Sequence, residues 1–155
     1  MSGNKFRNAV KEYIENWNRN YNLGIKIKLE QPLGYRFLNN LRIIDILLYR
    51  NNRFLGIECK YQGVSGTAYQ KLIYTLEDCK TTPIPTIIVF AGNGIKEDVK
   101  SKLITSGYGI EVLYEDGLVK EKGFPVLLQR IAIELGIDWF DIDIFNKKGE
   151  RYENS

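Results

Sequence analysis

Apolar residues recur at three- and four-residue spacing over 4–18, where Phe6, Val10, Tyr13, Ile14 and Trp17 share one face of a predicted helix. The period then drops to two. In 25–30, Ile25, Ile27 and Leu29 alternate with Lys26, Lys28 and Glu30, as in a strand with one wet face. A break at Pro32-Leu33-Gly34 precedes two strand-like runs, LRIIDILLY (41–49) and FLGIECKYQ (54–62). Between them lies Arg50-Asn51-Asn52-Arg53, and Asn-Asn suits a two-residue hairpin loop because Asn tolerates positive φ. Residues 67–79 read as a helix with Ala68, Leu72, Leu76 and Cys79 on one face and Ser65 or Thr67 as its cap. The continuous β-branched run TIIVF (86–90) suits a strand covered on both sides. Gly92-Asn93-Gly94 leads into a helix at 95–106 that Gly107 ends. A strand at 109–114, a helix at 125–135 stopped by Gly136 and a short strand at 139–145 complete the pattern.

A meander of strands followed by strand–helix alternation predicts an α/β fold, a mixed central sheet flanked by helices on both faces. Residues 1–145 are expected to form a single domain and 146–155 a polar, mobile tail. At 155 residues the chain can bury one real core but not two. The net charge of +3 and a pI near 8.8 permit nucleic-acid contact without demanding it. Lys26, Lys28, Arg36, Arg42, Arg50 and Arg53 are as consistent with a phosphate-tracking surface as with scattered solubilising charge. Two cysteines, Cys59 and Cys79, are too few for a disulfide scaffold, and reduced thiols suit a cytoplasmic setting. No run approaches the ~20 apolar residues that span a bilayer, and the start MSGNKFRN does not read as a signal peptide.

Histidine is absent, which removes imidazole bases, His-ligated zinc and Ser-His or Cys-His nucleophile pairs. Hydrolytic chemistry would have to run on carboxylates, lysine and a hard metal. The hairpin supplies such a set. Pairing Arg50 with Arg53 places Asp45 opposite Glu58 on one face, with Lys60 pointing the same way. Like charges opposed across a sheet destabilise it; at ~5 Å and an effective dielectric of ~20 the repulsion is roughly 3 kcal/mol. A divalent cation between the two acids removes that cost. Mg²⁺ takes oxygen ligands and keeps several waters, so Asp45, Glu58 and the Cys59 backbone carbonyl form a plausible partial shell, with Mn²⁺ able to substitute. Lys60 is suited to orienting a water or stabilising charge on a reacting phosphate. The plain alternative is an edge-strand Asp reaching water, with Glu58 and Lys60 as a surface ion pair.

At these residues the chain resembles the PD-(D/E)xK nuclease superfamily. The resemblance runs from about residue 42 to 90: Asp45, the hairpin, Glu58-Cys59-Lys60, Gln62, and Gly66-Thr67-Ala68-Tyr69-Gln70-Lys71 on the following helix. It implies a restriction-endonuclease-like core and phosphodiester hydrolysis. Gln70 or Gln62 would give secondary support at the site, Gln70 or Lys71 would help position phosphate or water, and Gln62 and Lys71 are candidate phosphate contacts. Gln70 and Tyr74 also resemble the QxxxY element of RecB-type members. Two features depart from the pattern. Ile44 stands where the name-giving proline would be. Glu12 lies on the far side of the first helix from the apolar face, whereas Arg7 flanks that face and suits a phosphate or a neighbouring carboxylate.

The expected function is a magnesium-dependent DNA endonuclease of restriction, homing or Holliday-junction-resolving type. Cutting both strands would need a homodimer or higher homo-oligomer, with 125–135 and 139–145 as candidate interface segments. The alternative is a weak or inactive nuclease-fold DNA-binding module within a larger complex.

Overall fold

The computed structural model describes residues 2–64 and 68–140. Helix α1 (Ser2–Tyr21) buries Phe6, Val10, Ile14 and Trp17 along the predicted stripe. Three antiparallel strands follow: β1 (Lys26–Arg36), β2 (Asn40–Arg50) and β3 (Arg53–Tyr61). Helix α2 (Ala68–Cys79) carries the chain to β4 (Thr86–Ala91), which runs parallel to β3. Helix α3 (Glu97–Thr105) then leads to β5 (Gly109–Glu111), parallel to β4. The sheet order is β1-β2-β3-β4-β5, so β3 is its central strand. A two-stranded ribbon, β6 (Leu113–Glu115) and β7 (Leu118–Lys120), precedes helix α4 (Val126–Leu135).

Helices cover both faces, as the pattern predicted. On one face, α1 and α4 share a core with Ile46, Leu48, Leu55, Ile57, Ile87 and Val89. On the other, Leu72 and Leu76 of α2 and Val99 and Leu103 of α3 pack on Ile88 and Phe90. All six residues of β4 are buried, which is why TIIVF shows no alternation.

The structure departs from the sequence reading in three places. Strand β1 continues through Pro32 and Gly34 rather than stopping. It is an edge strand, where a missing N–H is tolerated, and its register with β2 shifts between Pro32 and Tyr35. The predicted strand 109–114 is two strands, β5 in the main sheet and β6 in the ribbon. The β6–β7 turn is Asp116-Gly117 with both φ positive, the strongest short-range hairpin signal, and the sequence reading passed over it. Trp139 and Phe140 form a turn; residues 141–145 of the predicted last strand and the tail 146–155 lie outside the described residues.

Candidate active site

The hairpin forms as its loop dictates. Arg50 pairs with Arg53, Asn51 and Asn52 adopt φ of 49° and 66°, and the register runs regularly to Ile46 opposite Ile57. One step beyond, the ladder gives way to a side chain: the Cys59 N–H donates to Asp45 Oδ2 at 2.8 Å. Strand β2 also rolls over here. Ile46 faces the α1–α4 core, whereas Arg42, four residues earlier and of the same parity, reaches Asp78 on α2. The neighbouring edge strand accommodates the roll at Glu30, which has φ of 54° and lies between the pairs Leu29–Ile46 and Gln31–Ile44. Asp45 therefore sits where the sheet changes face. Alternation along β3 places Glu58 and Lys60 on the α2 side.

Glu58 is 8% exposed, and its Oε1 is buried without a hydrogen-bond partner among the described residues. Burial first, and then the Asp45 charge beside it, push its carboxyl up to about 8 against the pull of Lys60. Burial also raises the thiol of Cys59, so at neutral pH that residue offers its backbone rather than a thiolate. N–H and C=O of one residue in an extended strand point the same way, so the Cys59 carbonyl lies on the Asp45 side. The donor set is all oxygen and suits a hard cation. No group of three or more Asp, Glu, Cys or His side chains gathers to hold an ion among the described residues, so a shell built here would draw on backbone and water.

Glu58 and Lys60 open into a hollow of about 510 Å³ lined also by Arg36, Tyr74, Thr75, Glu77, Asp78 and Thr81. A smaller one of about 240 Å³ joins Lys60 to Tyr61, Gln62, Lys71, Leu72 and Ile95. Gln70 stands apart. It is exposed on α2 and borders a separate groove with Ile73, Tyr74 and Glu77; only Tyr74 of the Gln70–Tyr74 element lines the Glu58 hollow.

Gln62 is committed elsewhere. Its amide donates to the carbonyls of Val64 at 3.0 Å and Gly94 at 3.3 Å, bracing the loop after β3. Gly92 and Gly94 have the same explanation. A Cβ on either would lie 2.1 Å from a carbonyl oxygen, of Gln62 or Val64 respectively, so close backbone approach accounts for the glycines without a phosphate. Arg7 is buried and pairs with Glu30 at 3.1 Å, a neighbouring carboxylate, and Glu12 is exposed.

The sequence reading missed the clamp behind the site. Arg42, 2% exposed, donates Nε and Nη2 to the two Asp78 oxygens at 3.0 and 2.8 Å and Nη1 to the Leu33 carbonyl at 3.0 Å. The signal was present: a charge inside LRIIDILLY needs a partner as much as Asp45 does.

Comparison with known families matches the PD-(D/E)XK nuclease superfamily domain over residues 3–109. The chain belongs to the PD-(D/E)XK nuclease superfamily, and the five-stranded mixed sheet and four α-helices among its described residues make the restriction-endonuclease-like fold. Among solved structures it is similar to a protein of unknown function, AF1548, at 17% identity and a TM-score of 0.47, over 87% of this chain and 73% of that one. It is also similar to an fdxN element excision controlling factor protein from Anabaena variabilis, at 14% identity and a TM-score of 0.43, over 76% of this chain and 96% of that one. Comparison with the curated proteins finds no match. Among the described residues no helix is long and apolar enough to cross a membrane.

Proposed function

We propose that this chain is a magnesium-dependent DNA endonuclease that hydrolyses phosphodiester bonds at Asp45, Glu58 and Lys60, with Mn²⁺ able to replace Mg²⁺. One observation carries the reading. A buried carboxylate oxygen, Glu58 Oε1, has no hydrogen-bond partner among the described residues, and its carboxyl lies beside a second carboxylate held by the Cys59 amide. Leaving such an oxygen unbonded costs on the order of 1–3 kcal/mol or more, which binding of a cation would remove.

Asp45, Glu58 and the Cys59 carbonyl would hold the ion, which when bound supplies Lewis acidity toward a phosphate oxygen. Lys60 borders both hollows, so its ammonium can meet a phosphate entering from either side and stabilise charge gathering on it. Lys71 adds a second cation to the smaller hollow, whereas in the larger one Arg36 and Lys60 stand among the carboxylates of Glu58, Glu77 and Asp78. Tyr74 takes the flanking position in place of Gln70. Cleavage of both strands of a duplex or junction would use two copies of the chain, and cytoplasmic nucleic acid is the expected target.

An inactive DNA-binding module is the second reading. The observation in its favour is that α1 presents Arg7 paired with Glu30 near the site rather than a further acid. Purified protein incubated with supercoiled plasmid and with synthetic four-way junctions, in Mg²⁺ or EDTA, separates the two. Cutting that needs Mg²⁺ and is lost in Lys60→Ala and Asp45→Asn supports the nuclease. Metal-independent cutting, or cutting undiminished by either substitution, overturns it. Binding without cutting under every condition favours the module.

A further inference from the structure

Helices α2 and α3 pack over Ile88 and Phe90 of β4, and α2 reaches β2 at Arg42, which leaves the hairpin end of β1 and β2 on the same face to solvent among the described residues. Register defines what is displayed there. Lys26 lies opposite Tyr49, Lys28 opposite Leu47, and Tyr49 opposite Phe54. Opposed residues share a face, so these five side chains form one surface, while the alternate positions Leu48 and Leu55 point into the core. Both lysines are exposed, Leu47 and Tyr49 are half-buried, and Phe54 is 40% exposed. The Tyr49 and Phe54 rings stack at 5.9 Å between centroids and 25° between planes, and the Lys28 ammonium sits 5.9 Å over the Tyr49 ring. None of the five is acidic.

We infer that this open sheet face is a platform for single-stranded DNA that delivers a strand to the Asp45–Glu58–Lys60 site. The inference rests on the nuclease reading and adds to it the form of the substrate, DNA with a single-stranded flank. Near-parallel rings at a surface, Phe54 exposed and Tyr49 half-buried, accept unpaired bases by stacking, which tolerates any sequence because every base has a π-face. Lysines beside the rings match the phosphates between those bases. A base arriving on Tyr49 would take the place of the Lys28 ammonium over the ring and free that charge for the backbone. The platform lies on the same side of β3 as the site, with buried Gly56, Ile44 and Thr86 between them. Phe54, Gly56, Glu58 and Lys60 alternate along one side of β3, and the four residues from Phe54 to Glu58 span about 13 Å, a few nucleotides of extended strand. Charge argues against a second copy as the occupant. A two-fold contact through this patch would set Lys26 and Lys28 against an identical basic surface.

The test measures anisotropy of a labelled 15-mer of dT, the matching rU 15-mer and a blunt duplex, all in EDTA so that nothing is cut. Tyr49→Leu/Phe54→Leu keeps the apolar area but removes both rings. It should weaken dT binding about 10-fold or more with the duplex affinity little changed. Lys26→Gln/Lys28→Gln should flatten the slope of log affinity against log salt by about 1.4 for the single strand. Lys60→Ala, by contrast, should lose cutting and keep dT binding to the platform. Cleavage of forked DNA over blunt duplex in Mg²⁺ completes the set, with the preference lost in the ring variant. The inference is overturned if the ring variant binds dT like the parent, if rU binds more tightly than dT, or if the ring variant dissolves a dimer seen by light scattering. Failure of the nuclease reading shows differently, as dT binding that depends on the rings with no cutting of any DNA.

Discussion

Arg42 and Glu58 are both buried charged residues on the α2 side of the sheet, yet the protein treats them in opposite ways. Arg42 meets Asp78 through two hydrogen bonds, adds a backbone carbonyl, and touches the Thr81 hydroxyl at 3.3 Å. The pairing shifts both groups toward their charged forms: hydrogen bonding to Asp78 raises Arg42, and hydrogen bonding to Arg42 lowers Asp78. Glu58 has the Asp45 carboxylate for a neighbour and an oxygen with no hydrogen-bond partner among the described residues. The same face can therefore satisfy a buried ion fully where only the fold is at stake. The unsatisfied one is where the proposed ion site would set stability against binding.

Substitutions can break that comparison. The largest expected effect is on activity: Lys60→Ala should lower plasmid nicking in Mg²⁺ by about 10²–10³-fold with little change in the melting temperature. Next, Arg42→Met should destabilise the fold by about 2–3 kcal/mol in urea titrations, because Asp78 loses a bidentate partner but keeps water and Arg36 at 3.7 Å. The loss should shrink at low pH. Asp78 is lowered in the fold, so its contribution is present above its unfolded value and fades as pH falls through the folded one.

Glu58→Gln should do the reverse of Arg42→Met. In EDTA at pH 8 it should raise stability by roughly 1–2 kcal/mol, or about 2–8 °C, while removing the response to Mg²⁺. The sign follows from a raised carboxyl. The fold holds a proton that the unfolded chain releases near 4.5, so the stabilisation is complete below that value and is lost as pH rises through about 8. The gain from Glu58→Gln should therefore vanish near pH 4. The smallest expected effect is the thermal shift caused by saturating Mg²⁺ in the parent protein, a few degrees that should grow from pH 6 to pH 8 as that proton ceases to compete. A shift independent of pH would place the ion elsewhere.

Much of this was legible because it is local. The two asparagines fix the loop, the loop fixes the register, and the register brings Asp45 to the level of Glu58. The stripe on α1 and the doubly covered β4 follow from period alone. What escaped depends on distant partners or on edges. The apolar run around Arg42 signals that it needs a partner, but nothing local says that the partner is Asp78, thirty-six residues on. Pro32 reads as a stop because nothing local reveals that β1 has a neighbour on only one side. Gln70 was placed by motif similarity, and the rotation of α2 on its core positions Leu72, Leu76 and Cys79 leaves it on the outside. The roll of β2 at Asp45 is likewise invisible to a strict two-residue alternation, which would have sent Arg42 and Ile46 the same way.

The crowding of Gly92 and Gly94 against residues 62–64 has a further meaning. The turn after β4 and the end of β3 are locked like two cogs, with no clearance for even one methyl group. A change in that turn, remote from every carboxylate, would push on the stretch of backbone that follows Lys60 and so retune the site from behind.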